Sequence, residues 1–144
     1  MIKKLEVNVK EINKVMKIWK EATMKAHRFI SEAYWLENYN VVKEKYIPMA
    51  ETYVYLEENE IKGFISILAG EYIGGLFVDI NCQGKGIGEK LITYTKDIYD
   101  KLKLAVYKEN EKAVGFYKKM GFIVKHEQLN EETNEPEYIM VLKR

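Results

Sequence analysis

Cysteine is almost absent from this sequence: Cys82 is the only one in 144 residues. That excludes an internal disulfide framework and any cysteine-cluster metal site. Histidine is nearly as scarce, and His27 and His126 lie too far apart to form a spaced ligand pair, so no metal is expected. With two prolines and no low-complexity tract, nothing reads as a linker, and residues 1–144 are expected to form one domain. Charge of one sign is also missing. Twenty-three Lys and Arg against 22 Asp and Glu leave +1, which argues against the broad basic field of a nucleic-acid binder. No apolar run approaches membrane-spanning length, and the opening MIKKLEVNVKEIN lacks a signal-peptide core. The expectation is a cytoplasmic protein with neither membrane nor nucleic-acid partners.

What remains is ordinary globular material, 47% hydrophobic and 31% charged. IKKLEV suits a short first strand. From Lys10, the residues Ile12, Val15, Met16, Trp19, Ala22, Thr23 and Ala26 recur at helical spacing. A second helix is expected from Ser31, a capping residue, to Tyr46, with Pro48 stopping it. Thr52–Glu57, Ile61–Leu68 and Tyr72–Ile80 are rich in β-branched and aromatic residues and read as strands. Ile87, Leu91, Tyr94, Ile98 and Leu102 mark one face of a further helix. Leu102–Tyr107 is a short strand, and Asn110–Gly121 a capped helix turning Ala113, Phe116, Tyr117 and Met120 inward. FIVKHEQL and EYIMVL pair around the polar turn NEETNEP. The order is β-α-α-β-β-β-α-β-α-β-β, an α/β (α+β) mixed sheet covered by helices.

Chemistry concentrates in LFVDINCQGKGIGEKLI, Leu76 to Ile92. Three glycines in five positions (Gly84, Gly86 and Gly88) cost backbone entropy and let something approach the main chain closely. A strand, a glycine turn and a helix start form an anion site, because helix N–H groups and the positive dipole end favour phosphate. A Walker loop is excluded, since Gly86 rather than Ser or Thr follows Lys85. A dinucleotide-binding turn is excluded by the order G-x-G-x-G and by the lack of a following acid-bearing strand.

Gln83-Gly84-Lys85-Gly86-Ile87-Gly88 fits Q/R-x-x-G-x-G/A, and a hydrophobic strand precedes it. About 22 residues on, Asn110-x-x-Ala113-x-x-Phe116-Tyr117-x-x-x-Gly121-Phe122 follows. In these two motifs and their spacing the chain resembles the GNAT family of acetyl-CoA-dependent N-acetyltransferases, in its small stand-alone bacterial form. The resemblance implies a central, mostly antiparallel twisted sheet of about six or seven strands flanked by about four helices. It also implies a splay at the strand before the glycine loop. Gly74-Gly75 fits a bulge there.

By the same resemblance, backbone N–H groups from Gln83 through Gly84, Lys85, Gly86, Ile87 and Gly88 bind the pyrophosphate of acetyl-CoA. Phe77 and Val78 pair with the pantetheine arm, and the Val78 N–H polarises the thioester carbonyl. Asn110 caps its helix and contacts the arm. Tyr117 is the implied general acid for the leaving thiolate, and a tyrosine is protonated at neutral pH. The segment Ala26–Trp35 lies where this fold places the acceptor, so His27, Phe29, Trp35, Tyr72 and Tyr107 are candidate acceptor contacts. No general base is assigned: Glu71 and Tyr72 are the polar side chains near the expected position, and neither matches. Cys82 reads as incidental. Ile80–Cys82 departs from the proline that frequently follows this strand in the family.

The acceptor is expected to be a primary amine of a small molecule, attacked directly in a ternary complex. A peptide or protein amine is the alternative, and a CoA-binding regulatory module without turnover is the rival of another class. Monomer and homodimer both remain open.

Overall fold

The computed structural model describes all 144 residues. Seven strands form one sheet: β1 (Ile2–Lys4), β2 (Glu51–Glu57), β3 (Glu60–Leu68), β4 (Tyr72–Val78), β5 (Lys103–Tyr107), β6 (Phe122–Leu129) and β7 (Pro136–Leu142), in the order β1-β2-β3-β4-β5-β7-β6. Every neighbouring pair is antiparallel except β4 and β5. Four longer helices cover it: α1 (Val9–Ala26), α2 (Glu32–Val41), α4 (Ile87–Lys96) and α5 (Glu111–Lys119), with a single helical turn, α3 (Ile47–Met49). No helix is long and apolar enough to cross a membrane.

The period of the sequence decides which face each element buries. Helix α1, capped by the Asn8 side chain on the Glu11 N–H (2.9 Å), turns Val15, Met16, Ile18, Trp19, Ala22 and Thr23 inward. These meet Val54, Ile61 and Phe64 on one sheet face, joined by Ile30, Trp35 and Ile47. Helices α4 and α5 cover the other face, where Ile87, Leu91, Ile92, Val114 and Met120 pack on Ile65, Ile67, Leu104, Val106 and Met140. Strands β2 and β3 join through Glu58-Asn59, both at positive φ (54° and 65°), which suits a two-residue hairpin turn.

The parallel pair is hardly a pair. β4 and β5 share one register position, Tyr72↔Lys103, fixed by Lys103 N–H donating to the Glu71 carbonyl at 2.9 Å. Beyond it the two strands diverge, which is the splay the sequence led us to expect. β4 stays with β3, where the register slips between Ser66 and Ile67 and leaves Gly74 as the extra, bulged residue. A Cβ at Gly74 would come 3.0 Å from the Leu68 side chain.

Two expected helix ends differ from the structure. The second helix does not stop before Pro48: after Val41 the backbone widens into a π turn, Val42–Tyr46, and helical geometry continues to Met49. A π turn bonds five residues back, as Ile47 N–H does to the Val42 carbonyl, so the ladder can shift where Pro48 has no N–H to give. The helix after the glycines ends at Lys96, and Ile98 is 48% exposed rather than facing the core. Arg144 donates to the carbonyls of Lys96 and Tyr99, each at 2.6 Å, and holds the chain in a turn there.

Phe64 is 1% exposed at the centre of the α1 core. Phe64→Ala is expected to cost about 3–5 kcal/mol, read as a lower urea midpoint at an unchanged m value.

Candidate active site

The divergence of β4 and β5 leaves two strand edges facing each other across a gap. Asp79 N–H donates to the Lys62 carbonyl at 2.8 Å, so strand alternation turns the Val78 N–H away from β3 and into the gap. The same alternation from Lys103 turns the N–H groups of Ala105 and Tyr107 into the gap from the other side. Phe77 lies one position from that edge. Its ring stands 5.8 Å from Phe64 and lies over Gly75, where an added Cβ would come 2.9 Å from it.

At the end of β4 the loop from Asp79 to Gly86 leads into α4. Gly84 and Gly86 have φ of +81° and +83°, and an added Cβ at either would meet nothing within 4 Å. Packing does not demand these glycines; left-handed backbone does. The N–H groups from Gln83 to Glu89 donate to no backbone carbonyl. Asn8, Ser31 and Asn110 cap α1, α2 and α5, whereas Gly86 gives α4 no side-chain cap. The start of α4 is thus an open array of donors at a positive dipole end. Gln83 anchors the loop: its Nε2 donates to the Val78 carbonyl (3.1 Å), and its Oε1 accepts from Lys25 of α1 (3.3 Å). Lys85 is exposed beside these donors. Gly88 sits in ordinary contact with the Phe116 ring, 3.5 Å from an added Cβ.

Tyr117 projects from α5 and is 8% exposed, its ring between Phe116 (5.3 Å) and Phe122 (5.5 Å). Burial, with Tyr72 adding to it, pushes its pKa well above the ordinary tyrosine value. Tyr72, at the closed end of the gap, is raised by burial and then by Glu137, against a backbone hydrogen bond from Ala105 that lowers it. Tyr72 therefore reaches β5 across the gap, close enough to Tyr117 for the two to interact.

The other mouth of the gap is aromatic. His27, at the end of α1, has Phe29, Trp35 and Tyr107 around it with ring centroids 5.2–5.8 Å away. His27 Nδ1 lies 3.1 Å from Thr23 Oγ1, and Nε2 lies 3.3 Å from Asn110 Nδ2. Asn110 itself caps α5 by accepting from Ala113 N–H at 3.3 Å. The buried indole Nε1 of Trp35 makes no hydrogen bond. Tyr107 accepts a long hydrogen bond from Thr133 (3.4 Å), and burial raises its pKa. The turn between β6 and β7 closes over this cluster through a hydrogen bond from the Tyr34 hydroxyl to Glu132.

The structure thus gathers His27, Phe29, Trp35, Tyr107 and Asn110 in one contact group. It sets Val78, Tyr72 and Tyr117 along the gap, with Gln83 to Gly88 at its end. Several neighbours were not read as site residues from the sequence: Lys25, Glu132 and Glu137 carried no motif, and Thr23 was read only as part of a helical face. No group of three or more His, Cys, Asp and Glu side chains is arranged to hold a metal ion.

The sequence profile of the family described as "Acetyltransferase (GNAT) domain" matches residues 20–136. The chain belongs to the GNAT acetyltransferase family. This GNAT protein is 31% identical over 135 residues to peptidyl-lysine N-acetyltransferase YiaC of Escherichia coli K12, covering 94% of this chain and 92% of that one. It is 36% identical over 115 residues to peptidyl-lysine N-acetyltransferase YjaB of Salmonella typhimurium LT2, covering 79% and 78%. The solution structure of apo YjaB from Escherichia coli superposes with a TM-score of 0.82 at 28% identity, covering 98% and 97%.

Burial lowers the His27 pKa from 6.5, outweighing the Thr23 hydrogen bond that raises it. The neutral ring is therefore favoured by folding, a contribution present above the unfolded-state pKa of about 6.5 and lost as pH falls towards the lower native value. Wild type is expected to lose stability between about pH 7 and pH 5 more steeply than His27→Asn, measured by urea melts. A His27 NMR titration at or above 6.5 contradicts this.

Proposed function

We propose that this GNAT protein transfers the acetyl group of acetyl-CoA to the side-chain amine of lysine in peptides. One observation carries the reading: a gap between β4 and β5 with free strand-edge groups, an uncapped glycine turn at one end and a buried tyrosine hydroxyl alongside. These features fit the donor. A pantetheine arm needs strand-like backbone partners, and a diphosphate needs unpaired N–H groups that no Cβ shields.

Bound acetyl-CoA supplies an activated acyl carbon and a thiolate leaving group. The N–H groups from Gln83 to Gly88 hold its diphosphate, with the Lys85 charge beside them. Val78, next to Phe77 on β4, directs its N–H at the thioester carbonyl and stabilises the negative charge that develops there. Asn110 contacts the arm while capping α5. Tyr117 holds its proton, as its raised pKa requires, and delivers it to the departing sulfur. His27, Phe29, Trp35, Tyr72 and Tyr107 form an apolar sleeve around the acceptor. His27 is a poor proton acceptor there, since both of its nitrogens have protein partners.

The sequence alone put a small-molecule amine first. Two relatives above 30% identity carry peptidyl-lysine N-acetyltransferase names, and they move our reading to a peptide lysine. A small-molecule amine is the second reading, favoured by the closure of the acceptor mouth through Tyr34 and Glu132.

Acetyl-CoA at about 100 times its dissociation constant is expected to stabilise the protein by about 2.7 kcal/mol in a thermal melt. Tyr117→Phe is expected to keep that shift and to lose ~10²–10⁴-fold in kcat on lysine peptides. Unchanged turnover in Tyr117→Phe removes the tyrosine from the chemistry. Binding without turnover in wild type favours a regulatory module.

A further inference from the structure

Glu137 is the only buried carboxylate in the chain, 8% exposed, and the function proposed above gives it no role. Its two oxygens accept from Gln128 Nε2 at 2.7 Å and from Asn130 Nδ2 at 3.0 Å. Both donors are neutral amides, and none of the protein's ion pairs includes Glu137. A carboxylate taken out of water without a counter-charge is costly, and surface glutamates of this protein do find lysines.

Its position says what the missing counter-charge is. Glu137 stands directly opposite Tyr107 in the β5–β7 register, on the sheet face where Tyr107 meets His27 and Phe29. Its charge acts on both the Tyr72 and Tyr107 hydroxyls. Tyr72 in turn acts on Tyr117. Glu132 and Glu135 of the adjoining turn also act on Tyr107, burial favours the neutral form of His27, and the nearby Lys108 is paired with Glu127. On β6, His126 bonds the far side of Gln128 at 3.1 Å. No lysine or arginine forms an ion pair within this group.

We propose that Glu137 is the acceptor's anionic subsite: it binds the ammonium of a lysine-like amine and draws it to the acceptor mouth. This rests on the acetyl-transfer reading above. The ammonium loses one proton to water and becomes a neutral amine. The amine lone pair forms the carbon–nitrogen bond at the acyl carbon while the carbon–sulfur bond breaks. Sulfur takes the Tyr117 proton, and the second proton leaves nitrogen to restore Tyr117. Ammonium and thioester become amide, thiol and one free proton.

The test compares wild type, Glu137→Gln and Glu137→Asp. Calorimetry first measures a lysine peptide, and its norleucine counterpart, binding to the CoA-loaded protein, where no turnover is needed. Initial rates then give kcat and KM for the lysine peptide and for an aryl amine that is neutral at pH 7. Wild type is expected to bind lysine over norleucine by at least about tenfold, and Glu137→Gln to lose most of that preference. Glu137→Gln is expected to lower kcat/KM for lysine by on the order of 30-fold or more while leaving the aryl amine within about threefold. Glu137→Asp, which keeps the charge, restores part of the loss. Equal binding of lysine and norleucine by wild type overturns the proposal even where Glu137→Gln does not fold. A matching loss on both amines also overturns it, because that marks a structural role. A wild type that acetylates lysine peptides, with Glu137→Gln indifferent, removes Glu137 alone. A wild type that binds acetyl-CoA and is inert to every amine removes the acetyl-transfer reading as well.

Discussion

The absence of a hydrogen-bond ladder between β4 and β5 governs the molecule. Two strands that pair at Tyr72↔Lys103 and then part leave main-chain donors and acceptors without a strand partner. Side chains reach some of them, Gln83 the Val78 carbonyl and Tyr72 the Ala105 N–H. Such edges are a liability unless something fills them. The parting is built in: β4 is committed to β3 through the Gly74 bulge, and β5 to β7 along its whole length. One face repairs the break, because α4 and α5 bury a continuous apolar cluster that spans both halves of the sheet. The α1 core lies over β2, β3 and β4, so the opposite face stays open where the halves diverge.

The two ends of the gap use different materials. The end near α4 is made of main chain, with left-handed glycines and unbonded N–H groups, and lysines (Lys25 and Lys85) stand nearby. The end near α1 and the β6–β7 turn is made of side chains, aromatic and acidic. The unbonded N–H groups and lysines of one mouth suit a polyanionic donor, and Glu132 and Glu137 at the other suit a cationic acceptor. Between them lie groups that are buried and neutral, His27 held so by lost hydration and Tyr117 kept protonated by the same cause.

What could be read in the sequence was what chain-local chemistry determines. The glycine turn and the Asn110–Gly121 helix declare themselves within a dozen residues each, and with them came the family and the splay. Glu137 could not be read, because its burial depends on two registers at once, against Tyr107 of β5 and Gln128 of β6. Lys25 likewise meets Gln83 only after α1 is laid across the sheet. Ile98 fitted the helical period, yet Arg144, 46 positions later, holds the turn that exposes it. The π turn before Pro48 follows from a ladder that widened, a choice that no residue-type pattern marks.

A site whose one half is main chain and whose other half is side chains ages unevenly. Amides are common to every residue, so most replacements around the turn leave the donor cradle intact, provided Gly84 and Gly86 keep their left-handed geometry. The aromatic and acidic mouth has no such protection, and a single exchange there alters what fits. A lineage descending from this chain can therefore change its acceptor quickly while inheriting its donor unchanged.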